Sequence, residues 1–467
     1  MRAQCVLILI AAAASCVSSA ASAADKPEKQ KRPSIQSNRW QENWSVLVDP
    51  TLRTAPLDAL KYVPLSGSQS GTYVSFGANL RERFESNRSP AFGIGGVERD
   101  NYVIQRAQFH IDLHLFDDWQ VFTQFEDDRA FGKKDIGPAD ADKVDLRLAF
   151  VSYSHTFDAG TFKARVGRQD FAFDLQRFVS SRDGPNVRQS FDAVWADWES
   201  DPWRFIGFVS QPVQYRNERP FDDTSNGDFR FSTLRIERQV FDGNELSAYY
   251  SLYQRRNAHY LDASGDEDRH IVDARFAGNH SAVDWDIEGM GQFGTVGDKD
   301  IRAWAFGARG GYTFEDVAWT PRIGLQFDIA SGDRHPGDNT VGTFNPLFPN
   351  GYYFSLAGYT GYANLIHLKP SVTVKPNDKL TLTGAVGLLW RQTTADAIYV
   401  QPSQPLLGTA GRGGAWTGAY GQIRLDYTFT TNLTGAIEAV HYDIGNAIRH
   451  AGGRDGNYLG AQLSFAW

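Results

Sequence analysis

The chain of 467 residues ends in Asn457-Tyr-Leu-Gly-Ala-Gln-Leu-Ser-Phe-Ala-Trp467, and this final stretch decides the fold class. Its polar residues Gln462 and Ser464 share one parity. The apolar residues share the other parity: Leu459, Ala461, Leu463, Phe465 and Trp467. Such alternation is typical of a strand with one apolar and one polar face. Because chain ends usually fray, a strand pattern that continues to the last residue indicates a strand that closes a sheet.

The same alternation recurs along the chain from Thr72 onward. In the first of these segments, Arg81, Arg83 and Glu85 oppose a row of apolar side chains. About eighteen segments can be counted, and most are long enough to cross a bilayer at a tilt. They lie near 72–85, 101–115, 119–128, 144–157, 161–170, 190–199, 203–211, 229–239, 244–255, 268–278, 282–293, 301–314, 319–330, 363–375, 379–391, 415–429, 433–443 and 457–467.

The connections between these segments alternate in length. Short turns such as Asp117-Asp118 and Asp158-Ala159-Gly160 come between longer polar links. The longer links include 86–100, 129–143, 171–189, 331–362 and 392–414. The sequence therefore predicts an all-β fold, a transmembrane antiparallel β-barrel of about eighteen strands with short periplasmic turns and long extracellular loops.

The residues before the barrel form two predicted segments. Residues 1–24 have a charged start, an apolar run and a small-residue site near Ala23, which together predict a cleaved secretory signal peptide. Residues 25–70 are polar and rich in proline, and we expect an extended periplasmic segment there. The barrel should then occupy residues 71–467, in the outer membrane of the cell.

Composition disfavours several classes of function. A formal net charge of -8 gives no support for nucleic-acid binding. Both cysteines, Cys5 and Cys16, lie in the predicted signal peptide, so the mature chain should lack thiol chemistry. We find no serine-hydrolase motif and no calcium-loop spacing. We therefore expect no enzymatic activity, no cofactor and no bound metal.

One parity of the predicted strands carries most of the charge. Because a lysine or arginine facing lipid at the bilayer midplane would cost ~2–4 kcal/mol, this parity should face the lumen. Arginine forks suit carboxylates, so they could guide an organic anion; the alternative is a salt-bridged network that only stiffens the barrel. The predicted pore-lining cations are Arg81, Arg83, Arg106, Arg165, Arg235, Arg275, Arg309, Arg322, Lys369, Arg391 and Arg424.

Two regions resemble a known family. One runs from Gly167-Arg168-Gln169-Asp170 to Asn186-Val187-Arg188-Gln189-Ser190-Phe191-Asp192, and the other is Thr343-Phe344-Asn345-Pro346-Leu347-Phe348-Pro349. From about residue 40 onward, the chain resembles the alginate export family of outer-membrane porins. The resemblance implies a monomeric barrel of about eighteen strands with an arginine-rich constriction for an anionic polysaccharide. It adds Arg168, Arg188 and Asp192 to the predicted pore lining, where Arg188 and Asp192 either pair at the wall or cap the loop.

Three functions remain open at this point. The first is an outer-membrane channel that passes anionic sugars or an alginate-like polysaccharide by diffusion through an arginine-lined, partly acid-balanced pore. The alternative is a weakly selective uptake porin for small organic solutes. The third is a plugged barrel, in which the links 331–362 and 392–414 fold inward. The expected partners are outer-membrane lipid, an anionic saccharide or small organic anion, and the barrel assembly machinery, which would recognise the aromatic C-terminal strand.

Overall fold

The structure is a computed structural model that describes residues 31–65, 71–241 and 243–467. The predicted signal peptide lies outside these ranges. No helix of the described residues is long and apolar enough to span a membrane. The eighteen long strands are β1 (Tyr73–Arg88), β2 (Arg99–Leu115), β3 (Trp119–Phe131), β4 (Asp142–Phe157), β5 (Gly160–Gln169), β6 (Phe191–Ser200), β7 (Trp203–Gln214), β8 (Phe229–Val240), β9 (Asn244–His259), β10 (Ser264–His280), β11 (Val283–Val296), β12 (Lys299–Thr313), β13 (Arg322–Ala330), β14 (Leu365–Asn377), β15 (Leu380–Trp390), β16 (Trp416–Thr428), β17 (Leu433–Ile444) and β18 (Gly456–Ala466).

The strands close into a barrel because the last strand pairs with the first. In this antiparallel pair, Phe465 of β18 lies opposite Leu80 of β1, and Asn457 lies opposite Arg88. The other edge of β18 pairs with β17, and each intermediate strand pairs with its neighbours in sequence. Closure leaves no unpaired long edge, as a sheet in lipid requires. The predicted closed antiparallel barrel is confirmed.

The alternation in sequence separates an outer apolar face from an inner polar one. In β18, Leu463 is 51% exposed and Phe465 is 45% exposed, whereas Tyr458 is 3% exposed. In β1, Leu80 and Phe84 are likewise exposed, while Arg81 and Arg83 between them are buried inside the barrel. The outer side chains present the apolar band that a membrane barrel needs, because lipid offers no partner to charged groups.

The two ends of the barrel differ in their connections. At the periplasmic end the strands are joined mostly by tight turns, such as 158–159 and 281–282. At the extracellular end the links are mostly longer, although 260–263 and 297–298 are short. The longer extracellular links are 89–98, 132–141, 170–190, 215–228, 331–364, 391–415 and 445–455.

Short elements lie outside the barrel strands. The helix α1 (Asn446–His450) lies in the last extracellular link. Single 3-10 turns are Arg39–Gln41, Ser45–Val48, Pro50–Leu52, Asp58–Leu60 and Pro90–Gly93. Two-residue strands are Val63–Pro64, Thr224–Ser225, Thr340–Val341, Tyr399–Val400 and Gln404–Pro405.

Several extracellular links fold into the barrel and contribute to its apolar core. Two of them are 170–190, called the inner loop below, and 331–364. The link 391–415 also contributes Ile398, Val400 and Leu406. Phe348 of the link 331–364 packs edge-on against Phe191 of β6 and Phe231 of β8, with ring centroids 5.0 and 5.2 Å apart. Val179 of the inner loop forms a β-bridge with Phe348. Aromatic side chains of these loops therefore pack inside the lumen.

The N-terminal segment, residues 31–62, lies in the periplasmic mouth of the barrel. The Lys61 ammonium donates a hydrogen bond to the carbonyl of Phe76 at 2.8 Å. Arg39 Nη2 donates to the backbone carbonyl of Trp467, also at 2.8 Å. This segment therefore contacts both the first and the last strand, close to the point where the barrel closes.

Candidate functional site: the charged lumen

The lumen face of the wall brings most of the predicted cations together with oxygen partners. The strand alternation places these side chains inside, and the inward links supply many of their acceptors. Of the predicted cations, those at least nine-tenths buried are Arg81, Arg83, Arg106, Arg165, Arg235, Arg275 and Arg391.

Arg81 and Arg106 hold the inner loop against the wall. They lie directly opposite each other on β1 and β2. Arg81 Nη1 donates to the Asp183 carbonyl at 2.8 Å, and Arg106 Nη2 donates to the Pro185 carbonyl at 2.7 Å. Arg106 Nη1 also donates to Asp183 Oδ1 at 2.7 Å. This part of the predicted arginine row thus binds a segment of the protein itself.

Arg188 of the inner loop faces the same carboxylate. Its Nε lies 3.6 Å from Asp183 Oδ1, and its Nη2 donates to Ser181 Oγ at 2.9 Å. Desolvation would raise the pKa of Asp183, but the guanidiniums of Arg106, Arg188 and Arg81 outweigh it. They hold the pKa of this carboxyl well below its usual range, so Asp183 is ionised at neutral pH.

Asp192 pairs with Arg168, and not with Arg188 as one of the two sequence interpretations proposed. Arg168 Nε donates to Asp192 Oδ1 at 2.9 Å. The reason is strand register, since Arg168 of β5 lies opposite Asp192 of β6 on one face of the sheet. Arg188 lies before β6 begins, and its nearest carboxylates are Asp183 and Asp170.

A second charged group lines the lumen where β8 to β11 adjoin. Arg235 Nη1 donates to Asp174 of the inner loop at 2.7 Å. Arg275 Nη1 donates to Glu245 at 2.8 Å, and its Nη2 lies 2.7 Å from Asp286. Each guanidinium therefore has more than one carboxylate neighbour. This agrees with the alternative in which these arginines form a salt-bridged network that stiffens the barrel.

Arg177 belongs to this group but was not among the predicted cations. Its guanidinium is fully buried and pairs with Glu288, while its Nε donates to the Tyr353 hydroxyl at 2.7 Å. Asp328 Oδ1 lies 3.7 Å from the same Nε. Arg177 comes from the inner loop, where no period-two alternation marks which side chains face the lumen.

Arg83 and Arg424 share the carboxylate of Glu438. Arg83 Nη2 donates to Glu438 Oε2 at 3.1 Å, and Arg83 Nε lies 3.0 Å from Glu85. Arg424 pairs with Glu438 and lies 2.7 Å from Asp426. These charges are largely balanced across β1, β16 and β17.

Arg322 and Arg391 lie near the two ends of the barrel. Arg322 Nε donates to Asp284 Oδ2 at 2.8 Å. Arg391 follows β15 and donates to the carbonyls of Thr409 at 2.7 Å and Gly414 at 2.8 Å. Arg391 therefore organises the backbone of the link 391–415.

Arg165 has no carboxylate within 4.0 Å among the described residues. Its guanidinium carbon lies 4.2 Å from the ring centroid of Trp40 and 4.4 Å from that of Trp195. Trp40 belongs to the N-terminal segment and Trp195 to β6. The cation is therefore stacked between two indoles, an arrangement that stabilises its charge through the π faces.

Arg309 and Lys369 also lack a carboxylate within 4.0 Å in the described part of the chain. Both lie on the lumen parity, and the register places Gln326 of β13 between them, opposite Arg309 on one side and Lys369 on the other. Arg309 is exposed, and the Lys369 ammonium donates to the Phe354 carbonyl at 2.9 Å. Asp286 of β11 lies opposite Arg309 on its other side in the register, but it pairs with Arg275 and Arg177. Arg309 and Lys369 are thus lumen cations without a direct carboxylate contact among the described residues.

Comparison with known proteins agrees with this architecture. The sequence matches the family described as Alginate export over residues 72–462. No curated protein matches the sequence. Among solved structures, OccAB1 of Acinetobacter baumannii is 14% identical with a TM-score of 0.57, covering 88% of this chain and 99% of its own.

Two Pseudomonas aeruginosa structures show the same fold. OpdO is 12% identical with a TM-score of 0.55, covering 87% of this chain and 98% of its own. The outer membrane protein OpdK is 9% identical with a TM-score of 0.52, covering 84% of this chain and 98% of its own. The family match covers nearly the whole barrel, and these likenesses agree with its fold. The chain therefore belongs to the alginate export family and is an outer-membrane β-barrel channel.

Proposed function

We propose that this channel passes small organic anions, with sugar acids as the first candidates, by passive diffusion. The observation that carries the proposal is the strip formed by Arg309 and Lys369, which face the lumen without a carboxylate partner among the described residues. A local excess of positive charge raises the concentration of anions beside it. The exposed guanidinium of Arg309 also offers a fork that suits a carboxylate.

The balanced arginines support rapid passage in this proposal. Guanidiniums such as those of Arg235 and Arg275 already bind carboxylates of the protein. A travelling anion therefore meets few fully available cations, and it is not trapped. Conduction requires binding that is favourable enough for entry and weak enough for release.

The inward links favour small solutes over a polymer. Phe348 and Tyr362 of the link 331–364 are buried inside the barrel with Phe178 of the inner loop. A polysaccharide would have to displace these packed side chains along its whole length. Passage of alginate itself is the second candidate, and the family match over residues 72–462 is what favours it.

Planar-bilayer recordings under a salt gradient test the proposal. We expect the wild-type barrel to prefer anions and to carry glucuronate as the sole anion, because the unpaired cations attract carboxylates. The double variant Arg309→Ala/Lys369→Ala should shift the reversal potential towards cation preference. A block of the salt current by mannuronate oligomers, without passage of monomers, would favour the polymer instead.

Arg302→Ala is the matched control. Arg302 lies on β12 like Arg309, but it has the opposite parity and its side chain is 73% exposed on the outer face. Arg302→Ala removes one positive charge, as each single substitution of the double variant does, yet the reversal potential should stay at the wild-type value. A wild-type channel without anion preference would contradict the proposal, and a barrel without any conductance would identify the inward links as a plug.

A further inference from the structure

A cluster of carboxylates lies at the extracellular end of β3 and β4, away from the Arg309 and Lys369 strip. Oxygen atoms of Asp142, Asp222 and Asp223 all lie within 4.8 Å of one another. Asp142 begins β4, whereas Asp222 and Asp223 belong to the link 215–228. The cluster therefore joins the barrel wall to an extracellular link.

The backbone builds this cluster in two steps. Strand register places Asp128 of β3 directly opposite Asp142 of β4. The link 215–228 is then fixed beside them, because the Phe221 amide donates to the Val144 carbonyl at 3.1 Å. The Asp223 amide donates to Asp145 Oδ2, also at 3.1 Å. Like charges directly opposite each other destabilise a sheet unless a cation lies between them.

Several of the oxygens have no hydrogen-bond donor. Oδ1 atoms of Asp128, Asp142 and Asp222 are buried and lack a hydrogen-bond partner among the described residues. Asp128 is 1% exposed and Asp142 is 5% exposed, so both carboxyl groups are shielded from bulk solvent. A buried ionised oxygen without a partner is strongly unfavourable, and native proteins pair such groups or use them to coordinate metals.

The neighbouring cations do not neutralise the cluster. Arg106 Nε is 3.7 Å from Asp128 Oδ1, but its other nitrogens bind the inner loop. Arg168 is 3.8 Å from Asp145 and is hydrogen-bonded to Asp192.

One further cation lies beside the cluster. Arg147, on the cavity wall, is paired with Asp170 at 2.8 Å. Carboxyl groups therefore outnumber guanidiniums among the residues around the cluster.

A cavity of about 10 Å³ lies among these residues, and Asp128, Asp142, Asp145 and Asp223 line it. That volume is close to the room needed by one water-sized body. Calcium binds carboxylate oxygens at ~2.3–2.6 Å, so two ligands of one ion lie at most ~5 Å apart. The separation of the oxygens within 4.8 Å meets this limit.

We propose that Asp142, Asp222 and Asp223, supported by Asp128, form a binding site for one divalent cation, with calcium as the preferred ion. The oxygen-only ligands and their number suit calcium better than magnesium, which demands a tighter octahedron. The ion ties the link 215–228 to β3 and β4. It also lies beside the base of the inner loop, since Val187 and Ser190 line the same cavity.

Isothermal titration calorimetry on the detergent-folded full barrel tests the site. After chelation, calcium chloride should bind with a one-to-one stoichiometry and a Kd of roughly 10⁻⁴–10⁻³ M, as in other extracellular sites. The double variant Asp142→Asn/Asp223→Asn should weaken binding at least tenfold. Magnesium chloride should bind more weakly than calcium chloride to the wild-type barrel.

Thermal unfolding provides a second measurement in case the double variant differs from the wild type in folding yield or stability. Calcium should raise the melting temperature of the wild-type barrel, because a ligand of the folded state stabilises it. In calcium-free buffer the double variant should melt at or above the wild-type temperature, since carboxylate repulsion is removed. Calcium should then no longer shift its melting temperature.

Asp127→Asn is the matched control. Asp127 is next to Asp128 on β3 but has the opposite parity and pairs with Arg129. This variant should keep wild-type calcium affinity. The proposal is overturned if the wild-type barrel binds no calcium, which would mean that protons neutralise the cluster, or if the double variant binds calcium as tightly as the control.

Discussion

Asp183 lies in the inner loop and links it to the wall through the guanidinium of Arg106. Its side chain is 66% exposed to the lumen, whereas Arg106 is buried. The Asp183 carboxylate is therefore accessible to solvent, and the guanidiniums of Arg106, Arg188 and Arg81 stabilise its charge. Since the pKa of Asp183 is depressed in the folded state, its stabilisation is present above the unfolded pKa of ~3.9. This stabilisation is lost only as the pH falls through the lower pKa that Asp183 has in the folded state.

We therefore expect the inner loop to stay docked throughout the range from pH 7 to pH 5. Asp183→Asn should lower the free energy of local opening by about 1 kcal/mol, a modest value because the group is exposed. Hydrogen exchange of amides in 170–190 should then be about fivefold faster than in the wild type. This difference should be constant between pH 7 and pH 5 after correction for the intrinsic exchange rate. Wild-type protection that falls steeply between those values would contradict the assigned role of Asp183.

At the scale of elements, the N-terminal segment packs into the periplasmic mouth of the barrel. Trp44 is fully buried against Tyr73 of β1, and Trp40 covers the guanidinium of Arg165. Burial and the charge of Arg39 lower the pKa of Lys61 to about 8. Stacked aromatic and cationic side chains hold the segment in the periplasmic mouth without a covalent link to the barrel. The segment therefore reduces the open cross-section of the mouth.

Deletion of residues 31–62 should raise single-channel conductance, because side chains leave the periplasmic mouth. It should also expose the Arg165 guanidinium to the lumen and strengthen anion preference. Bilayer recordings of the barrel with and without the deletion measure both effects. Leu57→Ser serves as a control within the segment, since Leu57 is 58% exposed. Unchanged conductance after the deletion would show that this segment does not limit flow.

The strands were predictable from sequence because each repeats a two-residue period over about ten residues. That period predicts that Arg81 and Arg106 face the lumen, but it carries no information on their partners. Asp183 and Asp174 come from the inner loop, which has no period and takes its shape from the wall. Proximity along the chain also suggested an ion pair between Arg188 and Asp192. The cross-strand register instead places Asp192 opposite Arg168, with which it pairs.

At the scale of the whole molecule, the two ends of the barrel sheet meet at the periplasmic rim. The Trp467 amide donates to the Ala78 carbonyl, and the Ala78 amide donates to the Trp467 carbonyl, both at 2.8 Å. The Lys61 ammonium lies 4.6 Å from the ring centroid of Trp467. Closure, the C-terminal aromatic residue and the N-terminal segment are thus coupled at one site.

Deletion of Phe465–Trp467 should block stable insertion into the outer membrane. The missing residues would leave backbone groups of Ala78 and Leu80 unpaired at the closing seam, and each unsatisfied group in lipid costs several kcal/mol. We also propose that the barrel assembly machinery recognises this aromatic strand, so the truncation should fail early in assembly. The measurement is the heat-dependent shift in gel mobility of the outer-membrane fraction, which reports the folded barrel. Trp467→Phe, the matched control, keeps the ladder and an aromatic ring and should insert normally. A truncated chain that inserts and shifts like the control would refute this role of the C-terminal residues.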